Sequence, residues 1–188
     1  MATNGNASNL GKIVVDGGTF NTINTAGVTN TVNLQRTEFD IHSGTFSLMD
    51  NQTLLNESIV NIHGDAATVE IQYLNGALSA DFNFFMDSDG VSTVVSTGWS
   101  SLANIDVVVD GTDYEGGVGT YTLFQSVNAQ GIVAATALAQ NFDSSLVASF
   151  YLSGNDYIME LSAIPEPGSF ALIGGSLALG FVMLRRRK

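Results

Sequence analysis

The chain carries two histidines, His42 and His63, and no cysteine. Its chemistry therefore rests on two imidazoles, a set of carboxylates and many hydroxyls. The two histidines occupy matching places in two similar segments, 21 residues apart. On adjacent strands their rings would lie within about 5 Å of each other, the inter-strand spacing. A metal pair would need a third ligand, and only Asp40 or Asp65 is close by in the sequence. Stacked surface histidines are the expectation, and no metal site is assigned.

The acidic residues give several incomplete motifs. Asp87-Ser88-Asp89-Gly90 matches half of a calcium loop, but Phe85 and Ser96 stand where the remaining acids belong. A turn whose Asp side chains cap the backbone is the better reading. Gly116-Gly117-Val118-Gly119-Thr120 opens like a calcium-binding nonapeptide, yet Tyr121 replaces the ligand Asp. Asp110, Asp113 and Glu115 form the densest carboxylate cluster, around one turn. Paired carboxylates equip glycoside hydrolases. Such clefts also bring basic residues or histidines, and the body has one Arg and one Lys. Surface carboxylates are thus the default, with a weak calcium contact as a further option. Trp99, the sole tryptophan, reads as a core anchor on a loop or, less favourably, a platform for a sugar ring. No serine lies in a nucleophile elbow and no glycine run opens a nucleotide-binding helix. No catalytic residue, no cofactor and no enzymatic activity are assigned.

The elements that position these residues are short alternating apolar runs ending in glycine turns. Ile13–Phe20 is the first, and it returns as Phe39–Phe46 and Ile59–Asp65. Phe84–Gly90 is a more distant echo, and Ile105–Gly111 a clear one. With Gly18, Gly44, Gly64, Gly90 and Gly111 as phase marks the steps are 26, 20, 26 and 21 residues. A twenty-odd-residue period of β-branched strands and Asn/Gly/Thr turns predicts a parallel β-helix or related solenoid, with asparagine ladders at equivalent turns. An antiparallel sandwich is the alternative. No stretch before residue 125 has helical periodicity. Tyr114–Gly119 reads as a flexible connector, Thr120–Val127 as a strand, and Ile132–Leu138 as a strand or short helix. Leu146–Leu152 and Tyr157–Leu161 flank Ser153-Gly154-Asn155-Asp156, a hairpin signal, and would cap one open end of the solenoid.

Composition points outside the cytoplasm. Of six cations only Lys12 and Arg36 precede the C-terminal tail, while all 18 acidic residues but Glu166 do. The body is thus more acidic than the whole-chain charge of −12, which repels nucleic acid and anionic lipid. Charged residues make up 13% of the chain, beside 20 glycines, a balance typical of β-rich extracellular scaffolds. The first residues, Met1–Asn6, have no basic n-region and no apolar h-region, so no secretory leader is read there. The natural chain is expected to extend upstream.

The C-terminal 25 residues are the most informative. Both prolines, Pro165 and Pro167, bracket Glu166 and make a stiff, extended tether. Seventeen uncharged residues follow, from Gly168 to Leu184. As a helix they span roughly 25 Å, close to a hydrocarbon core of about 30 Å once arginines snorkel. Arg185, Arg186, Arg187 and Lys188 then place the tail on the cytoplasmic side and the body outside. Small residues four apart, Ala171/Gly175, Gly174/Ala178 and Ser176/Gly180, suit close contact with a partner helix or transient anchoring.

This order of Pro-Glu-Pro, apolar helix and terminal arginine cluster resembles the PEP-CTERM sorting signal of Gram-negative bacteria. The resemblance implies recognition by an exosortase, a membrane protease-transpeptidase of species that also make exopolysaccharide. It implies a destination and a processing route rather than an activity. The expected organisation is a β-solenoid over residues 1–113, an antiparallel β cap over 114–163 and the sorting signal over 164–188. The expected role is structural or adhesive in the cell envelope, with an exosortase as partner, the membrane as anchor, exopolysaccharide as a further contact, and no nucleic acid. The alternative is a carbohydrate-binding or carbohydrate-active β-helix using the Asp110–Glu115 turn and Trp99.

Overall fold

A computed structural model of the chain describes residues 11–22, 32–49, 53–54, 57–72, 80–99, 105–128 and 136–165. They form fifteen strands and no helix. In chain order these are β1 (Gly11–Val15), β2 (Gly18–Thr22), β3 (Val32–Asn33), β4 (Thr37–Ile41), β5 (Gly44–Leu48), β6 (Thr53–Leu54), β7 (Ser58–His63) and β8 (Ala67–Ile71). There follow β9 (Ala80–Phe85), β10 (Val94–Trp99), β11 (Ile105–Asp110), β12 (Gly119–Asn128), β13 (Thr136–Gln140), β14 (Leu146–Ser153) and β15 (Asp156–Ala163).

Successive long strands alternate between two sheets. The first has the order β1-β4-β7-β9-β11-β13, and every pairing in it is parallel. The second runs β2-β5-β8-β10-β12 in parallel and then turns antiparallel through β15 and β14. Short β3 and β6 pair in parallel beside them. Among the described residues every strand but β14 and β15 has a parallel partner, which excludes the antiparallel sandwich. β13 holds residues 136–140 of the stretch read as strand or helix, so that part is strand.

The strands form because their alternation puts one apolar set inward. β7 alternates buried and half-buried along its length, the period-2 pattern of a half-covered sheet. Register then stacks like on like. In the first sheet Ile13, Phe39, Val60, Phe82 and Val107 align across strands, as do Val15, Ile41, Ile62, Phe84 and Val109. In the second, Phe20, Phe46, Val69, Val94 and Phe124 align. These two inner faces meet as one core, with Phe39, Phe46, Phe82 and Phe84 fully buried. Ring pairs cross it, Phe39 edge-on to Phe46 at 5.0 Å and Phe82 edge-on to Phe124 at 5.1 Å, geometries aromatic quadrupoles favour.

The true repeat differs from the glycine spacing. Partners in the first sheet lie 26, 21, 22 and 25 residues apart, from Val15 through Ile41, Ile62 and Phe84 to Val109. Gly18 and Gly44 pair directly, but Gly44 then pairs with Ala67, not Gly64. The corners differ in length, so glycine position drifts while strand register holds. Asparagines do stack, yet on strands instead of turns: Asn83 Nδ2 donates to Asn61 Oδ1 at 2.9 Å, from β9 to β7. Buried hydroxyls close the corners. Ser92 accepts from the Ala67 amide (3.1 Å) and donates to the Gly64 carbonyl (3.0 Å), leaving no penalty for its burial.

The hairpin signal is met. Ser153 pairs with Asp156, so Gly154 and Asn155 alone make the turn, with Gly154 at φ 60°. A positive φ at the first turn position matches the twist of the flanking strands. Among the described residues no helix is long and apolar enough to cross a membrane. The expected transmembrane helix, with Glu166, Pro167 and Arg185 to Lys188, lies outside the described residues.

Candidate functional site

The outer face of the first sheet gathers the groups with chemical potential. Asp40 on β4 and His42 just beyond it are two residues apart, so both point outward. Ile41 pairs with Ile62, which sets His42 opposite His63 at the end of β7. Their rings stack with centroids 4.2 Å apart and planes 12° from parallel. Phe85 continues the stack on His63 at 4.5 Å and 7°. The neighbourhood expected from the repeat is therefore real, and Asp40 supplies the third group.

Asp40 is the hub. Its Oδ1 lies 2.8 Å from His63 Nε2, and its Oδ2 lies 3.0 Å from Lys12 Nζ and 3.5 Å from His42 Nε2. Lys12, from β1, also reaches Glu38 Oε1 at 3.1 Å. Partial burial pushes the Asp40 carboxyl up, but hydrogen bonds from Lys12 and His63 outweigh it and leave it below its ordinary value. Lys12 is raised in turn, by its bond to Asp40 first and Glu38 next. The ligand atoms of Asp40, His42 and His63 all lie within 4.8 Å of one another. Lys12 was the participant that sequence reading missed, because its approach depends on the β1–β4 register.

Two other carboxylate groups resolve as turns. Asp87 Oδ1 accepts from the amides of Asp89 and Gly90, each at 3.0 Å, the backbone-capping role expected of it. Its cluster with Asp65 and Asp89 brings three acids together at one corner. Asp110 accepts from Thr112 N (2.9 Å), Thr112 Oγ1 (2.6 Å), Gln140 Nε2 (2.9 Å) and Asn141 Nδ2 (2.9 Å). Burial raises its carboxyl, but these donors together outweigh that and leave it below its ordinary value. Asp113 and Glu115 are exposed and do not join Asp110 in a converging group among the described residues. Trp99 ends strand β10, paired with Asn128, where a loop was expected.

The segment read as a flexible connector is pinned. Tyr114 Oη donates to the Gly117 carbonyl at 2.8 Å and sits 2.5 Å from Tyr121 Oη. Burial and then the Tyr121 contact push the Tyr114 phenol up to about 12. Tyr114 also packs edge-on to Phe142 at 5.7 Å.

Fold and outer face together define a mostly β protein, built on parallel strands with a polar ladder, and the sequence adds a C-terminal tail of different composition. That tail, residues 163–188, matches the PEP-CTERM protein-sorting motif. The match includes Pro165, Glu166, Pro167 and the basic residues Arg185 to Lys188. It implies export to the cell envelope and recognition by an exosortase-type processing enzyme. Over the chain as a whole, neither a curated protein nor a solved structure matches.

Proposed function

We propose that this chain is a non-enzymatic structural or adhesive component of the bacterial cell surface, delivered by its sorting tail. The single observation that carries the reading is the sorting motif at residues 163–188. In this reading the parallel strands through β12 and β13 form a short β-solenoid, and the antiparallel β15 and β14 cover the last parallel strand of its second sheet. Residues 164–188 hold Pro165, Glu166 and Pro167 for the exosortase, then a single transmembrane helix, then the orienting cations Arg185, Arg186, Arg187 and Lys188. The ectodomain is outside the cytoplasm, first anchored and then released to a matrix in which exopolysaccharide is a natural contact.

Two features of the body support a scaffold. Its acids are distributed along turns and ladders, and Asp110, a member of the densest carboxylate cluster in the sequence, commits its carboxylate to four donors. The carbohydrate-active alternative, on the Asp110–Glu115 turn and Trp99, is therefore the weaker proposal.

The test is the C-terminal mass of the protein, secreted in cells with and without an exosortase. The natural tail is expected to lose its helix and basic residues only when the enzyme is present. A Pro165→Ala, Pro167→Ala tail is expected to stay intact in both. An intact natural tail in both strains would overturn the sorting reading.

A further inference from the structure

We propose that Asp40, His42 and His63 form a binding site for a first-row divalent transition metal ion, zinc being the best match. The inference stands independently of how the tail is processed.

The donor set selects the metal. Two imidazoles and one carboxylate suit zinc, copper or nickel, whereas calcium and magnesium prefer all-oxygen shells. Four-coordinate zinc holds its ligands at about 2.0–2.2 Å, which leaves an open position for water beside three protein ligands. Such ligand atoms sit roughly 3.3 Å apart by simple tetrahedral geometry. Here Asp40 Oδ1 and His63 Nε2 are 2.8 Å apart, and one ligand atom from each of the three residues lies within 4.8 Å of the others, so a small movement of His42 reaches that spacing.

The scaffold supplies rigidity where it is needed and freedom where it is needed. His63 is held between His42 and Phe85, and its strand is fixed by pairing on both sides. Near-parallel rings direct their lone pairs side by side, so one ring must splay for both to meet one ion. His42 can do this, because it lies just past the end of β4 with its side chain 42% exposed. Lys12 does not block the site. It is bonded to Glu38 as well as to Asp40, so it can keep Glu38 and hold the carboxylate oxygen that faces away from the metal. That second contact orients the ligand, as outer-shell partners of metal sites commonly do. The acidic body adds a favourable long-range field for cations. Since the chain has no cysteine and only these two histidines, imidazole-dependent zinc binding has one possible location. The corner acids Asp65, Asp87 and Asp89 have oxygen ligands only and nothing further that points to an ion.

The experiment is competition between the untagged full chain, stripped with a chelator and held in detergent, and a chromophoric zinc indicator. One zinc per chain is expected. His42→Ala and His63→Ala should each weaken binding at least 30-fold, and Asp40→Asn about 10-fold, the scale of ligand and near-ligand losses. Asp87→Asn should leave affinity unchanged, and a hundredfold excess of calcium should not displace zinc. Lys12→Met frees an Asp40 oxygen without touching either ring, so it should retain binding or tighten it. Cobalt substituted for zinc should give visible d–d bands that vanish in His42→Ala, a readout that folding alone does not produce. Circular dichroism of His42→Ala should match the parent, its ring being at the surface. Zinc affinity unchanged in both His42→Ala and His42→Gln, displacement by calcium, or no bound zinc would each overturn the proposal.

Discussion

The parallel stack and the antiparallel hairpin solve the same problem by different means. From β4 to β11 the long strands pair in parallel with chain 21 to 30 residues away, and inner side chains such as Phe39, Phe46, Val60, Phe82 and Val107 are buried. β14 and β15 pair through a two-residue turn, and β14 has no buried residue, with Val147, Tyr151 and Leu152 exposed. The stack is held by a shared apolar column that β15 joins through Tyr157, Met159 and Leu161, whereas β14 is held by backbone pairing and local turn geometry. Cutting into the first should therefore cost far more than cutting into the second.

Core truncation breaks this comparison most sharply. Phe82→Ala removes a ring with no solvent exposure that contacts Phe124 edge-on, and should cost about 4 kcal/mol. Phe150→Ala on β14 removes a half-buried ring stacked on Tyr157, and should cost about 1.5 kcal/mol from lost apolar area. Chemical denaturation of the two variants measures both. Equal losses would mean that β14 is as integral to the core as the stack.

Turn glycines come next. Gly44 has φ 88°, and a Cβ there would run into the backbone of Gly18 on the adjacent strand. Gly44→Ala should cost on the order of 3 kcal/mol, combining left-handed strain with a backbone clash. Gly154 has φ 60° and open space around it, so Gly154→Ala should cost only the conformational penalty, about 1 kcal/mol. A thermal shift at least twice as large for Gly44→Ala is the expected result.

What was legible in the sequence divides along the same line. The hairpin could be read locally, since Gly154-Asn155 between two alternating runs specifies its own register. The strands of the stack were legible one at a time, through alternation such as that of β7. Their mutual register was not, because corners of unequal length move Gly64 and Gly90 out of phase with Gly44. The polar cluster shows the consequence. The histidine pair followed from the repeat, and Asp40 from its place two residues before His42. Lys12 and Phe85 did not, since they join from strands on either side. The parallel pairing was foreseen from the echoing segments, while Trp99 was misplaced because its serine and glycine neighbours resemble a loop.

Register also decides the sign of the smallest effects. Along the outer face of the first sheet, β4 sets Asp40 beside the cation Lys12, whereas β9 and β11 pair Asp81 directly with Asp106. Asp40 is lowered on balance, so its stabilisation is present above the unfolded carboxylate pKa and lost as pH falls through its folded value. Asp81 is raised, by burial first and the Asp106 charge second. Its protonated form is the one the fold favours, and stability falls as pH rises through its raised value. Asp81→Asn should thus stabilise the protein at pH 7 by about 0.5 kcal/mol, the scale of one cross-strand charge pair. The gain should vanish below about pH 3, where the Asp81 carboxyl is protonated. Asp40→Asn, measured with chelator present so that no metal contributes, should destabilise at pH 7 by about 1 kcal/mol. Denaturation midpoints at the two pH values give both numbers. The same sign for both variants at pH 7 would show that general repulsion of the acidic body, and not the pairing across strands, governs this face.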